Sequence, residues 1–262
     1  MSAITFDAAT ARMLEAVYTT PDIIAQRARV LDLLAPRPGE RILDVGAGPG
    51  LLAYDLARLV GGEGRVVGLD ASADMLASAR ARLDVLPQAE CIEADATDLP
   101  LPDACFDAAV STQVYEYVGD MPHALAELRR VLKPGGRVLI LDTDWRSVVW
   151  RCGDQALMDQ VLTCWDDHLV HPHLPASLGP LLVRAGFSVR RVEIAPLLSA
   201  GWQPVSYAAG MLRTVGDFAL KNGARHGLSA EDVETWRADQ EDLIARGEFF
   251  FSLNRYIFLA TC

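Results

Sequence analysis

The clearest chemical motif in the sequence is a glycine-rich loop between a predicted strand and a predicted helix. It reads Leu43-Asp44-Val45-Gly46-Ala47-Gly48-Pro49-Gly50. Glycine lets backbone come close to a ligand, and the first turn of the following helix offers unpaired N–H groups. A dinucleotide fingerprint would need glycine or alanine where Leu51 stands. The carboxylate of Asp44 would repel a pyrophosphate, so the loop favours a ligand that carries an amino group.

Three further acidic residues accompany the predicted strands that follow the loop. Asp70 ends the second strand, Asp95 ends the third, and Asp107 precedes the apolar run of the fourth. A carboxylate in the position of Asp70 can accept hydrogen bonds from both hydroxyls of a ribose. Ligands of open α/β sheets bind at the carboxyl ends of the strands. We therefore expect these acids to lie along the same sheet edge as the glycine loop.

Short apolar strands alternate with helix-sized segments from position 41 onward. The predicted strands span 41–45, 65–70, 91–94, 106–110 and 137–141, and the helices between them span 50–60, 73–83 and 120–132. Strands separated by helical crossovers are typical of a parallel sheet with helices on both faces. The chain therefore predicts an α/β, Rossmann-like fold.

The pattern changes after position 142. Helices are predicted over 154–169, 176–185, 204–221 and 229–246, and strands over 187–194 and 249–259. Ser229 and Asp232 have the spacing of a capping box, which would begin the last helix. We expect the last two strands to pair at one edge and complete a seven-stranded, mostly parallel sheet, with the late helices forming a helical lid.

Composition restricts the class of protein further. The 262 residues include 24 Lys and Arg against 35 Asp and Glu, which gives a net charge of −11, and 51% are hydrophobic. This balance is typical of a folded globular domain. The acidic charge disfavours nucleic acid and anionic membranes as partners. The sequence contains no stretch apolar enough to span a bilayer, no signal-peptide pattern and an odd number of cysteines, five. We therefore expect a cytoplasmic protein with free thiols and no membrane insertion.

On these motifs the chain resembles the class I S-adenosylmethionine-dependent methyltransferases, specifically the small-molecule group that includes the ubiquinone/menaquinone methyltransferases. The resemblance covers about 40–145. It rests on Leu43–Gly50, Val67–Asp70 with Ser72 and Met75-Leu76, Ala94–Pro102, Phe106-Asp107 and Leu128–Gly136. Several spaced motifs in the expected order make it specific.

The resemblance implies S-adenosylmethionine as cofactor, S-adenosylhomocysteine as product and a set of contact residues. The implied contacts are Asp44, Gly46 and Gly48 for the methionine moiety, Asp70 for the ribose, Met75, Asp95 and Ala96 for the adenine, and Ala71 and Thr112 beside them. The expected layout is one methyltransferase domain over 1–262. It comprises an N-terminal helical lid at 1–38, a cofactor-binding core at 39–145 and a helical lid insertion at 200–247.

Methyl transfer from a sulfonium requires a nucleophile held in line with the methyl group and shielded from water. The segments expected to build the acceptor side are rich in aromatic residues, namely Tyr18, Tyr115, Trp145, Trp150, Trp165, Trp202 and Tyr207. They favour a small apolar or aromatic metabolite as acceptor. O-methylation is expected first because it is the more frequent reaction, and the quinone-type resemblance implies C-methylation as the second alternative. The candidate catalytic residues are Tyr115 after the fourth strand, Asp144 after the fifth, and His168, which lies nearest an Asp-rich helix end.

Several alternatives remain open from the sequence. A catalytically inactive cofactor-binding scaffold would share the same loop, and an N-methyltransferase or an arsenite-type enzyme using Cys152 and Cys164 is a further alternative. The histidines at 168, 171 and 173 could ligate a metal, but Pro172 and Pro175 break the helix that would align them, so no metal is predicted. An oligomer is compatible with the sequence.

Overall fold

The computed structural model describes the backbone of residues 8–262 and the side chains of residues 13–262. Its seven strands are β1 Arg41–Val45, β2 Arg65–Asp70, β3 Ala89–Glu93, β4 Phe106–Thr112, β5 Leu132–Trp150, β6 Ser188–Ala200 and β7 Phe250–Thr261. They form one sheet in the order β3-β2-β1-β4-β5-β7-β6. The first five strands are parallel, whereas β7 runs antiparallel to both β5 and β6. The predicted seven-stranded sheet and the pairing of its last two strands are confirmed.

Nine α-helices are described. They are α1 Ala8–Tyr18, α2 Pro21–Leu34, α3 Leu51–Val60, α4 Ala73–Leu83, α5 Met121–Val131, α6 Gln155–Asp166, α7 Pro175–Arg184, α8 Tyr207–Asn222 and α9 Ala230–Ala245. Short 3-10 helices occur at Tyr115–Tyr117 and Gly223–His226. The first seven residues of the predicted N-terminal lid lie outside the described residues. No helix in residues 8–262 is long and apolar enough to cross a membrane.

Side-chain caps explain where several helices begin. The Oγ of Ser72 accepts from the amide of the third residue of its helix, and Asp120, Asp154 and Ser206 cap α5, α6 and α8 in the same way. At Ser229 the reciprocal bonds with Asp232 are both present, so the predicted capping box is confirmed. Each cap satisfies an amide that would otherwise lack a partner at the helix start.

The fifth strand differs most from its predicted bounds. It was predicted to end at 141, but β5 continues to Trp150 and pairs with β7 as far as Trp150 opposite Phe251. The sequence hides this extension because Asp142 and Asp144 interrupt the apolar run, and the register shifts between Asp144 and Val149. The extension carries the sheet past the ends of its parallel strands and gives α6, α8 and α9 a surface to pack on.

Most of the predicted acceptor-site aromatics form a core on this extension. The Trp150 ring lies edge-on to Phe251 at 4.9 Å and to Trp236 at 5.5 Å, and Trp145 packs edge-on to Trp165 at 5.5 Å. These tryptophans are buried in one hydrophobic cluster. Their role is therefore to attach the late helices to the sheet.

One buried glutamine completes this aromatic core. Gln240 accepts from Trp150 Nε1 at 2.9 Å and donates to the carbonyl of Arg151 at 3.0 Å. Gln240→Leu is expected to lower the free energy of unfolding by about 2–4 kcal/mol, because it leaves a buried donor and an acceptor unpaired. Denaturant unfolding of the variant and of the exposed control Gln155→Leu measures this. A weaker cofactor affinity without loss of stability would contradict the core assignment.

Candidate cofactor and acceptor site

The glycine loop is held against the end of β2 by backbone hydrogen bonds. The amides of Gly46 and Ala47 both donate to the carbonyl of Leu69, at 2.7 and 2.8 Å. Gly46, Gly48 and Gly50 have φ of 71°, 53° and 77°, a region that favours glycine. A Cβ on Gly46 would collide with both methyl groups of Val114. The loop therefore needs glycine for its backbone conformation and, at Gly46, for its close approach to Val114, which follows β4.

Asp70 is fixed beside this loop by two amides. Its Oδ2 accepts from Gly48 at 2.8 Å, and its Oδ1 accepts from Ser72 at 2.9 Å. Burial raises the pKa of Asp70, and the amides of Ser72, Gly48 and Ala71 partly oppose that rise. An oriented carboxylate keeps lone pairs for further donors, as a ribose diol requires.

Asp70→Asn is expected to lower the affinity for S-adenosylmethionine at least about tenfold, or about 1.4 kcal/mol. The side-chain nitrogen of the new asparagine would face the amide of Gly48 or of Ser72, both of which are donors. Its single oxygen would accept fewer hydrogen bonds from the ribose hydroxyls than the carboxylate does. Isothermal titration calorimetry measures the affinity, with the exposed Asp84→Asn as the matched control. An unchanged affinity would remove Asp70 from the cofactor site.

A cavity of about 760 Å³ opens at this edge of the sheet. That volume lies in the upper part of the range of roughly 300–1,000 Å³ for small-molecule sites. Of the predicted cofactor residues, eight line the cavity: Gly46, Gly48, Asp70, Ala71, Met75, Asp95, Ala96 and Thr112. The Oδ1 of Asp95 also accepts from the Thr97 amide at 2.8 Å, which fixes this carboxylate at the cavity edge. The expected position of Asp107 at this edge is wrong. Asp107 lies at the start of β4, and its Oδ2 accepts from the amide of Arg41 at the start of β1 at 2.9 Å, so it belongs to the opposite edge of the sheet.

Asp44 is the predicted cofactor residue that is absent from the cavity wall. Its side chain is buried below the loop, and its Oδ2 has no hydrogen-bond partner among the described residues. Burial and the nearby carboxylate of Asp70 raise the pKa of Asp44 to about 7, against an opposing bond from the Ala53 amide. A buried orphan carboxylate suits a positively charged ligand above the loop. The glycine cradle, the oriented Asp70 and this orphan oxygen together fit S-adenosylmethionine.

The fold and this site define a Rossmann-like protein that binds a nucleoside cofactor at the end of β1. The sequence profile of the family described as "Methyltransferase domain" matches residues 43–140. A 2-phytyl-1,4-naphtoquinone methyltransferase of Trichormus variabilis is 37% identical over 163 residues, which cover 61% of this chain and 71% of that protein. A 37.1 kDa protein in transposon TN4556 of Streptomyces fradiae is 33% identical over 94% of this chain and 70% of its own length.

A solved structure adds agreement at the level of the fold. The crystal structure of a S-adenosylmethionine-dependent methyltransferase from Aquifex aeolicus superposes with a TM-score of 0.56 and 18% identity, covering 96% of this chain and 99% of its own. This chain belongs to the class I S-adenosylmethionine-dependent methyltransferases of the small-molecule type. It is an enzyme of that class, and S-adenosylmethionine is its cofactor.

The three predicted catalytic residues lie outside the cavity wall. His168 is buried and stacks on Trp165 at a centroid distance of 3.7 Å, and its Nδ1 donates a hydrogen bond to the Trp165 carbonyl oxygen. Burial lowers its pKa to about 4, which makes it a weak base at neutral pH. Its ring lies edge-on to Tyr117, which does line the cavity. The structure thus places His168 behind the wall.

Tyr115 and Asp144 also lie away from the cavity wall. Tyr115 points into the core under the sheet, where burial first and Asp142 second raise its pKa. Asp144 is half-buried, accepts from the Arg146 amide at 3.1 Å and lies 3.3 Å from His173. Tyr115 differs from its predicted position because it lies in the 3-10 helix Tyr115–Tyr117. This helix turns the side chain of Tyr115 into the core, whereas Tyr117 lines the cavity.

The acceptor side of the wall comes from residues that sequence reasoning did not single out as catalytic. It is built by α1, α2 and the turn after β4, which contribute Leu14, Tyr18, Ile23, Gln26, Gln113 and Tyr117. Neither α8 nor α9 contributes a residue to the described wall. Two signals were available in the sequence: Tyr18 is among the aromatic residues expected on the acceptor side, and Tyr117 lies just after β4, where ligands bind in such folds.

A buried polar cluster lies behind this wall. It contains Glu116, Asp142 and Arg255, all nearly inaccessible to solvent. Burial raises the pKa of Glu116 to about 7, while nearby Arg255 and the Thr143 amide oppose the rise. Burial raises the pKa of Asp142 well above its ordinary range, with Glu116 adding to the effect.

The thiols and histidines give no support to the arsenite-type or metal alternatives. Cys152 and Cys164 are absent from the cavity wall, and burial raises the pKa of Cys152 to about 11, which disfavours the reactive thiolate. Within the part of the chain that the structure describes, no group of three or more His, Cys, Asp and Glu residues is arranged to hold a metal ion.

Proposed function

We propose that this enzyme transfers the methyl group of S-adenosylmethionine to an oxygen or carbon atom of a small, largely apolar acceptor. The observation that carries the proposal is the second half of the cavity. It continues from the glycine loop to a wall that apolar Leu14 and Ile23 line together with Tyr18, Gln26 and Tyr117. Apolar walls with few polar groups are typical of sites for small organic molecules.

The relative from Trichormus variabilis supports the same class of acceptor, because its name describes methylation of a naphthoquinone. The cofactor supplies an electrophilic methyl group. The residues of this chain hold the two substrates together: the glycine loop and Asp70 orient the cofactor, and α1 and α2 cover the acceptor and exclude water. Catalysis then depends mainly on proximity and shielding.

The test is methyl transfer from S-adenosylmethionine carrying a ¹³C-labelled methyl group to a panel of phenols, quinols, hydroxy acids and amines. The ¹³C spectrum of each product distinguishes O-, C- and N-methylation. We expect O- or C-methylated product from an aromatic member of the panel. Cofactor binding with no methyl transfer to any member would favour the inactive scaffold, and transfer to amines alone would favour an N-methyltransferase.

A further inference from the structure

Arg255 on β7 is a fully buried guanidinium with an incomplete set of partners. Its Nη1 donates to the Oε1 of Gln26 at 2.9 Å, and its carbon Cζ lies 4.5 Å from the ring centre of Tyr207. Its Nε and Nη2 atoms are buried and have no hydrogen-bond partner in the described part of the chain. The Tyr207 hydroxyl is a further hydrogen-bond partner of this guanidinium. A guanidinium stays charged, so this position holds a buried positive charge of which the Nε and Nη2 donors stay unpaired.

No described carboxylate forms an ion pair with this guanidinium within 4.0 Å. The titratable groups that face it are Tyr18 from α1, Glu116 from the turn after β4, Asp142 from β5 and Tyr207 from α8. Burial raises the pKa of both carboxyl groups, which opposes their ionisation, and neither of them forms an ion pair with the guanidinium. A buried charge that its neighbours offset only in part destabilises the fold unless a ligand of opposite charge adds to them.

Gln26 and Tyr18 connect this charge to the cavity, because both line the acceptor wall and both lie beside Arg255. Arg255 can only donate, so it fixes the Gln26 amide with its oxygen toward the guanidinium. The Gln26 Nε2 donors then remain for the cavity. The wall in front of Arg255 therefore presents hydrogen-bond donors backed by a positive charge.

Within the part of the chain whose side chains the structure describes, every carboxylate of the wall already accepts from a backbone amide. Of these carboxylates, Asp70 and Asp95 are bound by loop amides, and Asp120 caps α5. The predicted catalytic residues His168 and Asp144 lie outside the wall. A general base is needed only if the acceptor arrives protonated.

We propose that the acceptor binds as an oxyanion, a phenolate or enolate, whose oxygen receives hydrogen bonds from Gln26 and Tyr18 in front of Arg255. Arg255 is a positioning residue in this scheme: it orients Gln26 and stabilises the negative charge without touching the acceptor. During transfer the oxyanion, or the carbon that shares its charge, supplies the electron pair for the new bond to the methyl carbon. The methyl–sulfur bond breaks with its electrons kept by sulfur. Transfer to the oxygen then needs no proton removal, whereas transfer to a ring carbon is followed by loss of the proton on that carbon to water, which restores the aromatic ring. This inference rests on the proposed function and names its substrate class.

The test uses 4-nitrophenol as probe, because its phenolate absorbs at a longer wavelength than the neutral phenol. The full chain is saturated with S-adenosylhomocysteine, so that the cofactor's own carboxylate is already bound. At a pH about one unit below the pKa of the free dye, we expect the bound dye to be phenolate. Arg255→Met is expected to reduce the phenolate-to-phenol ratio about tenfold or more, and Arg255→Lys to restore most of it.

Calorimetry on the same samples shows whether an effect of the Arg255 variants comes from the acceptor site or from the cofactor site. We expect the affinity for S-adenosylhomocysteine to change less than about threefold in the Arg255 variants. If Arg255→Met does not fold, Gln26→Leu removes the donor on the wall and is expected to lower the same ratio. A dye that stays neutral, fails to bind or is unaffected by these variants overturns the oxyanion site. If the variants lose affinity for S-adenosylhomocysteine and the dye spectrum is unchanged, Arg255 acts in cofactor binding, and the oxyanion site is again overturned. If the wild-type protein binds cofactor but methylates no acceptor, the proposed function itself fails.

Discussion

Gly46→Ala is expected to reduce the affinity for S-adenosylmethionine at least about 100-fold, equivalent to about 2.8 kcal/mol. The new Cβ would meet both methyl groups of Val114, and the φ of 71° is unfavourable for alanine. Val114 cannot move freely, because its amide donates to Asp142 at 3.1 Å and its side chain lines the cavity. Relief of the clash would therefore displace the loop, the cavity wall or both.

The matched control is Gly62→Ala, since a Cβ at Gly62 meets nothing within 4 Å and its φ is not positive. We expect this variant to bind the cofactor like the wild type. Circular dichroism and thermal unfolding check that Gly46→Ala remains folded, with a loss of stability of about 1–3 kcal/mol from overpacking. A folded Gly46→Ala variant with normal affinity would show that the cofactor does not depend on this loop conformation.

The fold and the cofactor half of the site were predictable from the sequence because their signals are local. Asp44 through Gly50 stand next to one another, and Asp70 ends a strand whose pattern is continuous. Parallel strands place their carboxyl ends at one edge, so residues distant in sequence converge by rule. Helix starts were equally local, as Ser229 and Asp232 show.

The acceptor half depends on contacts that no local pattern encodes. Gln26 and Arg255 are 229 positions apart, and they meet because α2 lies over the antiparallel end of the sheet. His168 looked reactive in the sequence, but its segment folds into an aromatic core beside Trp165. Arg255 was hidden inside a strand of alternating apolar residues, where a buried cation is rare. Packing, and not residue type alone, decides which of these groups faces the cavity.

The affinity for S-adenosylmethionine is expected to rise with pH up to about 7 and then level off. Asp44 lies below the loop with a pKa raised to about 7, so it is protonated over part of the neutral range. The cofactor carries positive charge at its sulfonium and amino groups, which favour the ionised carboxylate below the loop. Binding therefore releases a proton below pH 7, and the affinity changes by up to about tenfold per pH unit there.

Asp44→Asn is expected to remove most of this dependence, because the amide does not titrate. Calorimetry across pH, in buffers of different ionisation enthalpy, measures both the affinity and the proton released. Glu116→Gln is the informative control, since Glu116 also has its pKa raised to about 7 but lies behind the acceptor wall. We expect that variant to keep the pH dependence of cofactor binding. Equal dependence in wild type and Asp44→Asn would exclude Asp44 as the titrating group.

Asp44 should also make the stability of the cofactor-free protein depend on pH, but in the opposite direction: stability should fall as pH rises, whereas cofactor affinity rises. Between about pH 4 and 7 the folded state keeps the Asp44 proton that the unfolded state has lost, because the ordinary pKa is 3.8. The free energy of unfolding contributed by this group therefore falls as pH rises through that window, and the loss is complete above it. Asp44→Asn should show a shallower decline in urea unfolding, and its stability relative to wild type should increase toward high pH. The two pH dependences together would show that the Asp44 carboxylate lowers the stability of the empty protein and raises the stability of the complex, as expected of a buried carboxylate that binds a cation.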